Sequence, residues 1–109
     1  MKRGISDFET EFQAMKPRIR ERSGGECEAW RFVSDNCDEG LRSWFSSVLK
    51  FCGVRATNTH HRKYRSRGGT NSPDNLIDLC YPCHAFIHSQ PKISNQMGLS
   101  LHANESEEL

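Results

Sequence analysis

The 109-residue chain has no apolar run approaching the roughly 20 residues that span a bilayer, so no membrane helix is expected. It also lacks the apolar stretch that would follow Met1-Lys2-Arg3 in a secretory signal, because Asp7, Glu9 and Glu11 intervene. A reducing, cytoplasmic setting is therefore expected. There, disulfides are disfavoured for Cys27, Cys37, Cys52, Cys80 and Cys83, and paired cysteines more often bind metal. Internal repeats and low-complexity segments are missing as well. With 35% hydrophobic and 27% charged residues, the chain reads as one small polar domain. A core of that size often needs a metal or disulfides to stay folded.

Net charge is scarce too, at +1, but it is unevenly spread. Lys16, Arg18, Arg20 and Arg22 form one basic cluster, and Arg62, Lys63, Arg65 and Arg67 a second. Leaving out the tail residues Glu105, Glu107 and Glu108 moves the formal charge from +1 to +4. Such segregation suits a phosphate backbone, although each cluster alone also fits an ordinary solvated face.

Ser6 and Glu9 form a capping-box pattern, and Ile5, Phe8, Phe12, Met15 and Ile19 recur at helical spacing, predicting a helix over 6–22. Pro17 predicts a kink or restart, and Ser23-Gly24-Gly25 a stop. Residues 28–51 offer little beyond the stripe Leu41, Trp44, Phe45, Val48 and Leu49, which predicts an amphipathic helix from about Asp38 to Lys50. Val54–His61 and Leu76–Leu79 read as strands around a long turn with Gly68-Gly69, Asn71, Ser72, Pro73 and Asp74. Pro82–His88 opens a helix that Pro91 ends or bends, Leu99–Leu101 reads as a last strand, and Asn104–Leu109 as a frayed acidic tail. The organisation expected is a helical segment at 1–22, a domain at 23–102 with an insert at about 30–50, and a tail at 103–109.

Cys80-Tyr81-Pro82-Cys83 is a C-x-x-C knuckle, whose tight turn can bring two thiolates onto one zinc. Two more ligands are needed. Cys27 and Cys52 are preferred because each flanks an element that must pack near the knuckle, leaving Cys37 as the spare or the substitute for Cys52. The alternative is a set of reduced core thiols or a redox pair.

Four of the five histidines fall within His60–His88. His84 and His88, four apart on a predicted helix, share a face and can grip one ion. His60 and His61 are adjacent on an extended segment and point to opposite faces, so one imidazole goes to the metal and the other to a water. His102 reads as a surface or capping residue.

The order His60-His61, Asn75, His84, His88 resembles the HNH nuclease motif, and the paired histidines resemble the colicin-type DNases. The runs HHRKYRSRGG, NLIDLC and CHAFIH resemble the zinc-knuckle HNH endonucleases of bacteriophages. The resemblance covers about residues 23–102 and is densest over 52–91; the segment 30–50 departs from the family's shorter knuckle connection. It implies a small α+β fold, a zinc-stabilised ββα-metal finger behind an N-terminal helix. By it, His60, His84 and His88 are metal ligands, His61 is the general base, and Asn75 holds the inter-strand loop and fixes the angle of the His61 ring. Arg62, Lys63, Arg65 and Arg67 would contact DNA phosphates.

The resemblance further implies one structural Zn2+ and one catalytic divalent metal (Zn, Ni, Mn, Co or Mg), the latter stabilising the leaving 3′-oxygen. The rival functions are a non-catalytic zinc module binding DNA or protein, a secreted nuclease toxin, and an accessory nuclease beside phage terminase or packaging proteins in a host cytoplasm.

Overall fold

The computed structural model describes residues 5–48, 52 and 54–109. Met1–Arg3, Leu49 and Lys50 fall outside the described residues, as do the side chains of Ile5 and Ser6 and with them the capping box. The element order is α1 (Ile5–Ser23), α2 (Ala29–Asn36), α3 (Glu39–Val48), β1 (Asn58–His61), β2 (Leu76–Leu79), α4 (Tyr81–Ser89) and α5 (Pro91–Gln96), with a 3-10 turn at Arg65–Arg67. Helices surround a two-stranded antiparallel sheet, a small α+β fold.

Helix α1 does not restart at Pro17. Interior proline removes one N–H bond and crowds the preceding turn, but here the helix is anchored on both sides of it. Ile19 is buried after it, and Phe12 packs on the His61 ring before it. The stop comes where the glycines predict. The amide of Gly24 donates to Glu21 O and that of Gly25 to Arg20 O, both glycines have positive φ, and these are the two bonds of a Schellman end.

The chain then turns so that Gly25–Cys27 lies beside Val54–Ala56, through Ala56 N to Gly25 O and Cys27 N to Val54 O. Helix α2, unread in the sequence, buries Ala29, Phe32 and Val33, an i, i+3, i+4 set too short to stand out. These residues join Phe45, Ile77, Leu79, Phe86, Ile87, Met97 and Leu99 in one core.

Strand β1 is shorter than the Val54–His61 expected, because Val54 takes φ 68°, a left-handed conformation that interrupts extension. Its partner β2 is buried along its whole length, including Asp78. That carboxylate accepts from Arg20 Nε (2.7 Å), Ser23 Oγ (2.8 Å) and Thr59 Oγ1 (2.7 Å). Buried Glu28 takes a two-pronged bond from Arg22 and the Asp78 amide. Arg20 and Arg22 therefore lock α1 to the sheet rather than forming a phosphate-facing stripe.

The C-terminal region differs from expectation. Leu99–Leu101 forms only an isolated bridge between Lys63 and Leu101, because β1 has ended two residues before Lys63. The tail is not frayed: Glu107 accepts from Thr70 N (2.8 Å) and Thr70 Oγ1, and Glu105 from Asn95 Nδ2 and His102 N.

Arg62 is also corrected. It is 4% exposed, its guanidinium donates to the carbonyls of Gly98, Asp74 and Glu107, and it lies 4.7 Å from the Phe32 ring. It is an internal tie and not a phosphate contact. Arg62→Met should therefore destabilise the fold by about 2–4 kcal/mol in urea denaturation, since three carbonyls lose a charged donor. A change within about 0.5 kcal/mol, usual for a surface arginine, would contradict this.

Candidate metal centres and active site

Two groups of side chains that could hold a metal ion draw residues from the β2–α4 junction and helix α4. The first is Cys27, Cys52, Cys80 and Cys83, whose sulfurs all lie within 4.8 Å of one another. Cys80 caps α4, Pro82 occupies its first turn where a missing N–H costs no bond, and Cys83 follows one turn later. Cys27 arrives through the pairing of Gly25–Cys27 with Val54–Ala56. The Cys52 and Cys80 sulfurs are 3.7 Å apart. That is close to the separation of two thiolates about 2.3 Å from one tetrahedral zinc, and far above the roughly 2.05 Å of a disulfide.

The electrostatics of the thiol group fit a cation. A hydrogen bond with Cys83 is the main cause holding Cys27 down at about 5, and the same bond pushes Cys83 up. Burial pushes Cys52 up to about 11. The cluster thus favours one thiolate stabilised by its neighbours, and a divalent ion would draw off the remaining protons. Cys37 stays outside this group, with its thiol 3.4 Å from Met97 O.

The second group is His60, His84 and His88, whose ligating nitrogens also lie within 4.8 Å of one another. His84 and His88 share one face of α4 with their Nε2 atoms 3.1 Å apart. His60 pairs with Ile77 in the hairpin and is 4% exposed. Its Nε2 lies 2.9 Å from Leu99 O. A carbonyl only accepts, so Nε2 carries the proton and Nδ1 is left with a lone pair. Such a backbone partner is what fixes the tautomer of a ligating histidine. Burial is the chief reason His60 is held down at about 3, so the ring is neutral and ready to ligate. Burial also lowers His84, with His88 adding to it. The donor set therefore fits a divalent transition metal.

His61 lines the same cavity of about 270 Å³ as His60, His84, His88 and Arg65. Asn75 is fully buried and clamps the loop ends: Oδ1 accepts from Lys63 N (2.7 Å), and Nδ2 donates to Lys63 O (3.0 Å) and Thr70 O (2.8 Å). The partner of the His61 ring is a different residue, Asn71, whose Oδ1 is 2.9 Å from His61 Nε2. Phe8 and Phe12 of α1 pack on the same ring, at 5.6 and 4.5 Å between centroids. The sequence marked Phe8 and Phe12 only as part of a helical stripe and Asn71 only as a turn residue, none of them as part of the site.

Of the second basic run, Arg65 is exposed at the cavity with its guanidinium over the Phe8 ring. Arg67 donates to Leu101 O and lies over Tyr64, and Lys63 Nζ reaches Ala103 O at 3.3 Å. His102 is exposed, and its amide donates to Glu105.

Two outcomes follow. Zinc at a thousandfold excess over its dissociation constant should stabilise the metal-free protein by about 4 kcal/mol. Cys27→Ser should lose most of that gain while Cys37→Ser keeps it; equal losses in thermal melts would contradict the four-thiol set. For pH, the folded state holds His60 near 3 while the unfolded chain titrates near 6.5. Its contribution is present above pH 6.5 and is lost as pH falls toward 3, by at most about 1.4 kcal/mol per unit. In metal-free protein, His60→Gln should show a shallower decline over that window; parallel curves would contradict a neutral buried ring.

Neither a curated protein nor a solved structure matches the chain. The family model for HNH endonuclease matches residues 49–90, a segment that includes β1, β2, α4 and the side chains of His60, His61, Asn75, His84 and His88. Residues 49–90 are thus similar to an HNH endonuclease domain, a likeness that spans 42 of the 109 residues.

Proposed function

We propose that the chain is a metal-dependent endonuclease that hydrolyses DNA phosphodiester bonds. One observation carries this reading: three imidazole donors converge on a cavity that a fourth histidine, His61, also lines. A non-catalytic zinc module needs the thiols but has no use for that convergence.

In this reading Cys27, Cys52, Cys80 and Cys83 hold a structural zinc, and His60, His84 and His88 hold a divalent metal. When bound, that metal supplies charge stabilisation at the scissile phosphate and the leaving 3′-oxygen. The protein's own residues do the rest. His61 accepts a proton from water as the water oxygen attacks phosphorus in line, and the bond from phosphorus to the 3′-oxygen breaks. Arg65 shares the equatorial phosphate charge at the cavity, while Lys63 and Arg67 flank the loop that meets the backbone. Asn75 keeps that loop in shape. Nitrogen-rich ligation favours zinc, nickel, cobalt or manganese, and a site that keeps waters still admits magnesium. The bacteriophage zinc-knuckle type, a host-cytoplasm setting and an accessory role beside packaging proteins rest on the sequence resemblance alone.

The test is cleavage of supercoiled plasmid by metal-free protein after adding back each divalent ion. His61→Ala should lower the rate by about 10²–10⁴-fold while leaving metal binding intact. Full activity in that variant, or no cleavage by wild type with any ion, would overturn the reading.

A further inference from the structure

We infer that Asn71 is a positioning residue for His61, fixing which nitrogen of the ring carries the proton. The consequence for catalysis rests on the nuclease reading above; the geometry does not.

Both ends of the Asn71 amide have partners. One end is 3.0 Å from Phe8 O and 3.3 Å from a carboxylate oxygen of Glu11. A backbone carbonyl only accepts, so this end is the NH2 group. The other end is therefore the carbonyl oxygen, and it faces His61 Nε2 at 2.9 Å. An acceptor at that distance requires the proton on Nε2, which leaves the lone pair of the neutral ring on Nδ1. Asn71 thus selects the nitrogen that can take a proton from water.

Burial and two sets of contacts make the placement rigid. Asn71 is 8% exposed, so water competes poorly for the bond. The carbonyl of the preceding residue, Thr70, is held by Asn75 Nδ2. The ring itself packs against Phe8, with 26° between planes, and Phe12, with 49°. The ring plane is set by Phe8 and Phe12 of α1, the tautomer by Asn71 and the loop by Asn75. That helix lies outside the segment the HNH endonuclease family model matches. The domain match alone therefore leaves out part of the apparatus that orients the base.

A structural role for Asn71 in docking α1 is the competing explanation, and two substitutions separate the two. Asn71→Leu removes both ends of the amide. Asn71→Asp keeps the acceptor for His61 and loses the donor to Phe8 O and Glu11. The readouts are the His61 ring proton in 1H–15N spectra of the metal-free full chain, and steady-state plasmid cleavage. Wild type should show an exchange-protected proton on Nε2. Asn71→Leu should lose that protection and about tenfold or more in kcat, with KM changed less than about threefold. Asn71→Asp should keep the protected Nε2 proton and a kcat within about threefold of wild type.

A ring proton found on Nδ1 in wild type overturns the inference without any variant. Loss of protection and rate in Asn71→Asp equal to that in Asn71→Leu also overturns it, because docking of α1 would then be the whole effect. Backbone amide spectra show whether each variant folds. If wild type cuts no DNA, the nuclease reading fails separately, and the ring proton still decides the Asn71 contact.

Discussion

The arrangement depends on the absence of slack between β2 and α4. Leu79 ends the strand, Cys80 caps the helix and Tyr81 begins it. Cys80 and Cys83 belong to the thiol group, and the next residue, His84, belongs to the histidine group. A rotation of α4 that spread the thiols would carry His84 and His88 away from His60. Because His60 is fixed opposite Ile77 by the hairpin register, the helix has one orientation in which all three imidazoles meet. The two groups are thus coupled through a single backbone turn.

Around that junction the charged residues divide by task. Half-buried Arg20 and Arg22 and buried Arg62 are bonded to Asp78, Glu28 and three backbone carbonyls, and tie α1, α2 and the C-terminal tail to the sheet. Arg65 remains exposed at the cavity. The buried carboxylates are fully bonded, the condition under which such groups lock a fold rather than weaken it. The net charge of +1 therefore says little about the charge a substrate would meet.

What was readable in the sequence was local. The i, i+4 spacing of His84 and His88 and the C-x-x-C of Cys80 and Cys83 are read from helix and turn geometry alone. The strands and α3 follow from periodicity. Contacts made only by the tertiary fold were not readable: Asn71 with His61, Phe8 and Phe12 over that ring, and Leu99 O behind His60. Phe8 and Phe12 looked like core because a helical stripe has the same spacing whether it covers a core or a site. Arg62 was misassigned as one of a charge run, although strand alternation carried a signal. Residues two apart on an extended chain share a face, so Arg62 follows buried His60 inward while His61 does not.

The central claim is that the thiol group organises the histidine group. Its most direct test is the cobalt affinity of the histidine site, read from visible absorption and native mass spectrometry, in wild type, Cys83→Ser and His84→Ala. The account predicts two ions per wild-type chain, loss of only the histidine-site ion in His84→Ala, and weakened histidine-site binding in Cys83→Ser although no histidine has changed. Unaltered cobalt affinity at the histidines of Cys83→Ser would contradict it.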